Sequence, residues 1–86
     1  MSPIRVGNNV IVRMVTYHVV GHIEAITKDE IVLSDASWVA DSGRWFDALK
    51  TGKLNEVEPF PDTVSLGRGA VVDATTWNHP LPKEQK

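Results

Sequence analysis

Between Val10 and Ala40 the apolar residues fall into three β-rich runs with imperfect alternation, joined by connections that only hairpins can span. The first run, Val10 to Val15, is rich in β-branched residues and follows the turn-like Gly7-Asn8-Asn9. The second extends from Tyr17 to Ile26. Within it Val20, Ile23 and Ile26 are apolar and His22 and Glu24 polar, while Gly21 marks a bulge or sharp bend. Lys28-Asp29 turns the chain into a third run, Glu30 to Ser34. Its contiguous Ile31, Val32 and Leu33 suit a strand buried on both faces or one at a barrel corner.

A helix is expected next, near residues 42–51. Asp41 or Ser42 can cap it, Arg44 to Lys50 form its body, and Gly52 can close it in the left-handed conformation. Trp45, Phe46 and Leu49 share one side. Two turns are too few for a stable isolated helix, so that side must pack on the sheet. Leu54 to Glu58 reads as an edge strand ended by Pro59 and Pro61. Thr63 to Leu66 and Ala70 to Ala74 read as a hairpin across Gly67-Arg68-Gly69. The expected fold is mainly β: a small, partly open, five-stranded barrel over residues 1–77 with one short inserted helix. Residues 78–86, NHPLPKEQK, form an extended tail, either an arm across a neighbouring subunit or a disordered end.

Eighty-six residues make one domain with little core to spare, which leaves oligomerisation as a supplement to stability. The absence of cysteine excludes disulfides and thiolate metal sites. No window approaches the ~18 apolar residues of a membrane span, and the start lacks a signal-peptide run. The expected setting is therefore cytoplasmic, with no membrane contact. The net charge of −2 is spread without a basic stripe, which disfavours non-specific nucleic-acid binding.

Two resemblances add to this picture. Gly21-His22-Ile23-Glu24-Ala25-Ile26, a short turn, and Ile31-Val32-Leu33-Ser34-Asp35-Ala36 resemble the first motif of Sm-like proteins. Leu66-Gly67-Arg68-Gly69-Ala70-Val71-Val72 resembles their second. The likeness covers about half of the chain and implies an SH3-like barrel that assembles into rings. It departs from the family in lacking an N-terminal helix and in carrying a longer segment, Trp38 to Pro61, between the motifs. Lys28, Asp29 and Glu30 also occupy the turn where an RNA-contacting asparagine is usual. The whole chain is similar to a group of small phage and prophage proteins, on Asp35-Ala36, Trp38 to Arg44, Glu56 to Pro59 and His79 to Pro82. That kinship implies the host-cell cytoplasm or a virion as the setting, and no particular activity.

Candidate chemistry is sparse. Asp35, Asp41, Asp47, Glu56, Glu58 and Asp73 include carboxylates that two elements could bring together as acid and base, or that simply serve turns, caps and solvent-facing positions. His18 and His22 share one side of a strand about 13 Å apart, too far to hold one metal ion. Trp38, Trp45, Phe46 and Trp77, with Arg44 nearby, are the most suggestive group. Such rings fill cores, anchor interfaces or stack bases, with Arg44 or Arg68 available for an anion. The leading expectation is a non-enzymatic, self-associating barrel with a structural or assembly role, using Trp38, Arg44, Trp45 and Trp77 at its interface. An RNA- or small-nucleotide-binding module is the alternative, and a carboxylate hydrolase a distant third. No cofactor or metal is expected.

Overall fold

The computed structural model describes residues 2–86. Six strands and one helix follow in order: β1 (Asn9–Met14), β2 (His18–Ile26), β3 (Glu30–Asp41), α1 (Trp45–Thr51), β4 (Glu56–Pro59), β5 (Val64–Gly67) and β6 (Val71–Thr76). A 3₁₀ turn, Arg68–Ala70, links the last two. All pairings are antiparallel, in the order β4-β3-β2-β1-β6, with β5 also paired to β3.

β3 is shared along its length, pairing with β5 over Glu30–Leu33 and with β4 over Ser37–Asp41. Between these stretches Asp35 adopts a φ of 47°, a region that aspartate tolerates better than most residues. The kink redirects the strand rather than ending it, so β3 runs well past the Ser34 limit expected from sequence. β2 bends with it, shifting register between Val20 and His22. A Cβ on Gly21 would stand 2.8 Å from the Ala36 Cβ, so the bend expected at this glycine also depends on its missing side chain.

The hairpin expected between the last two strands does not form. Leu66 lies opposite Ile31 in β3, and both are buried in the same core, while β6 pairs with β1. The 3₁₀ turn carries the chain from one partner to the other, and the Val15 N–H donates to the Ala70 carbonyl at 3.0 Å beside it. No ladder joins the sheet's ends among the described residues, so the sheet is not closed into a barrel.

Alternation in β1 serves two cores. Val10, Val12 and Met14 join Val19, Ile23, Ile31, Leu33 and Leu66 in the first core. Ile11 faces the other way, with Val20, Val39, Ala48, Leu54, Val57 and Trp77 in the second. Each fully buried Val or Ile contributes roughly 1.5–3 kcal/mol, so covering both faces matters in so small a chain. Burial on both faces thus falls on Val10-Ile11-Val12, whereas Val32 of the contiguous run in β3 stays partly exposed.

Helix α1 covers the second core but begins without a side-chain cap. Arg44 stands at its N-cap, whereas Asp41 ends β3 and its carboxylate accepts the Gly43 N–H at 2.8 Å. Gly52 closes the helix at φ 78°, as its position suggested. The tail folds back on its own chain instead of leaving it as a free arm. His79 Nε2 bonds the Leu49 carbonyl at 2.7 Å, and Lys86 exchanges two backbone bonds with Val57 at 3.0 and 2.9 Å. Leu81 packs against the second core. Among the described residues no helix is long and apolar enough to cross a membrane.

Candidate functional site

The three tryptophans end in three different environments. Trp77 is 3% exposed in the second core, and its indole N–H donates to the Pro80 carbonyl at 3.3 Å. Trp45 is half-buried on the outside of that core. The Arg13 guanidinium lies 5.1 Å above its ring and the His18 ring meets it edge-on at 5.4 Å. Trp38, 39% exposed, sits on the opposite face.

That face carries an open cleft of about 390 Å³ lined by Thr16, Tyr17, Trp38 and Phe60. The register explains the gathering. Trp38 lies opposite Val19 in β2 and Glu58 in β4, so all three share a face. Tyr17 is two residues before Val19, and Phe60, two beyond Glu58, donates its N–H to the Ala36 carbonyl at 2.9 Å. Two-residue steps keep side chains on one side of a sheet. The cleft is thus walled by rings, with the exposed Glu58 beside it and no basic residue among the described residues that line it.

The arginines singled out from sequence lie elsewhere. Arg44 is exposed before α1, near the Asp41 end of β3. Arg68 lies beyond the other end, donating from Nη1 to the Thr27 carbonyl at 2.9 Å. The two therefore do not converge on one anion. The carboxylates do not gather at one site either, although two of them, Asp41 and Glu56, are cross-strand neighbours. Asp73 takes a bidentate grip from Arg13, with Nε 2.9 Å from Oδ1 and Nη2 on Oδ2. Asp35 faces Lys83 at 3.8 Å, while Glu56 stands opposite Asp41. His22 Nδ1 and Asn9 Oδ1 bond at 2.7 Å, tying that histidine to β1. No group of three or more potential metal ligands occurs among the described residues.

The Arg13 hydrogen bonds hold the Asp73 carboxyl below its usual range, and Asp73 in turn raises the Arg13 value. A lowered folded-state value means the pair stabilises the fold above about pH 4, and the contribution fades as pH falls through the folded value. Both side chains are 41% exposed, so the effect is modest. Urea denaturation of Asp73→Asn should show its stability deficit at pH 7, and that deficit should shrink toward zero near pH 2.

Sequence reasoning found Trp38, and named Glu58 only as a candidate acid or base, but missed Tyr17 and Phe60. The available signals were the offset of Tyr17 from Trp38 across the β2–β3 hairpin and an isolated phenylalanine between Pro59 and Pro61. Comparison with protein-family models, curated proteins and solved structures finds no match to this chain.

Proposed function

We propose that this chain is a non-enzymatic, self-associating module on a small SH3-like barrel plan, with a structural or assembly role of the kind suggested by its resemblance to small phage proteins. The bent β2 and β3, and the 3₁₀ link between strands at the two ends of the sheet, support the barrel plan. One observation carries the functional reading. Tyr17, Trp38 and Phe60 form an uncovered aromatic cleft on a molecule that encloses Trp77 within its own core. Flat rings bury much area at small entropic cost, which is why they dominate contact surfaces between proteins.

The nucleotide-binding alternative draws less support, because a phosphate needs a cation and neither Arg44 nor Arg68 lines the cleft. The hydrolase reading needs two carboxylates across a substrate, yet Asp73 is engaged by Arg13 and Asp41 by the Gly43 N–H.

Trp38→Ala should cost roughly 1 kcal/mol of stability or less, as a half-exposed position does. Its effect on assembly should be far larger: light scattering should report an oligomer for the unmodified chain and a monomer for the variant. A variant that assembles unchanged would contradict the reading.

A further inference from the structure

The geometry points to the occupant of the cleft: the Pro80–Lys83 stretch of a second copy, seated head to tail. This rests on the self-association reading and names the partner segment within it. The tail is held to its own body from one side, through Leu81 on the second core, His79 on the Leu49 carbonyl and Lys86 on Val57. Pro80 and Lys83 are exposed. A proline-directed extended chain repeats every three residues, so these two share its outer side. The stretch is therefore displayed in a fixed shape without leaving its own chain, which keeps the ordering cost of binding low.

The cleft complements that display. Proline rings lie readily against flat aromatic faces, and Tyr17, Trp38 and Phe60 supply three. Glu58, on the same face opposite Trp38, offers a carboxylate to the incoming ammonium group. The ion pair that Lys83 makes within its own chain is a 3.8 Å contact with Asp35, at which both side chains are largely exposed. Exchanging it for Glu58 forfeits little. With each copy giving its tail to one neighbour and its cleft to another, this head-to-tail contact is heterologous and generates a ring or a filament.

Native mass spectrometry of two variants tests this. Trp38→Ala keeps the tail but loses the cleft wall; Pro80→Ala with Lys83→Glu keeps the cleft but loses the displayed residues. All three positions are exposed, and circular dichroism checks that each variant is folded. Each variant alone should be monomeric, and an equal mixture should form the heterodimer that has one intact joint. Glu58→Lys should weaken association roughly tenfold or more, and adding Lys83→Glu to the same chain should restore it. Failure of the mixture to pair would overturn the inference. If Trp38→Ala is monomeric while the tail variant assembles like the unmodified chain, the tail is not the occupant, yet self-association through the cleft stands. A monomeric unmodified chain would remove both.

Discussion

Trp77→Ala should lower the folding free energy by about 3–5 kcal/mol, the range for truncating a large buried ring. The indole is almost fully enclosed between the sheet, α1 and the returning tail, with Val20, Val39 and Leu54 among its fellow core members. Its backbone N–H extends the β1–β6 pairing by donating to the Asn9 carbonyl at 2.8 Å, and its ring meets His79 edge-on at 5.0 Å. Removing it opens the second core and frees the anchor of the tail. A domain of this size holds roughly 4–13 kcal/mol in total, so the loss is a large share. Urea denaturation measures it directly. A change below about 1 kcal/mol, with intact secondary structure and a smaller particle, would return Trp77 to the interface role expected from sequence.

Gly52→Ala should come next in size, at about 2–4 kcal/mol, and should act on the tail above all. At φ 78° an L side chain is strained, and the added Cβ would stand 2.5 Å from the His79 Cγ and 2.7 Å from its Cβ. The ring cannot stay in place, so the bond from His79 to the Leu49 carbonyl should break. The pairing of Lys86 with Val57 lies downstream and should follow. Hydrogen exchange should then show lost protection at Val57 and Lys86 while the β1–β2 ladder keeps its own. Unchanged protection at Lys86 would mean that the tail is held independently of this cap.

Much of the fold was legible because it is local. The β-branched runs, the glycine bend at Gly21 and the left-handed closure at Gly52 each follow from residues within a few positions of one another. The two departures are long-range. Gly67-Arg68-Gly69 looks like a hairpin turn in isolation, yet Leu66 gains its burial from Ile31, 35 residues earlier. Likewise the return of residues 78–86 depends on a slot between α1 and β4 that no local pattern announces. The same limit applied to the site. The aromatic surplus was visible in composition, but which ring would remain uncovered depended on register: Trp38 was placed beside Tyr17 and Phe60, whereas Trp77 was enclosed.

Sedimentation velocity of the unmodified 86-residue chain across the micromolar range is the most direct test of whether the Tyr17–Trp38–Phe60 cleft joins copies of this molecule. The account predicts a sedimentation coefficient that rises with concentration toward a multimer, and a concentration-independent monomer value once Trp38 is alanine. A single monomeric species at every concentration of the unmodified chain would contradict it.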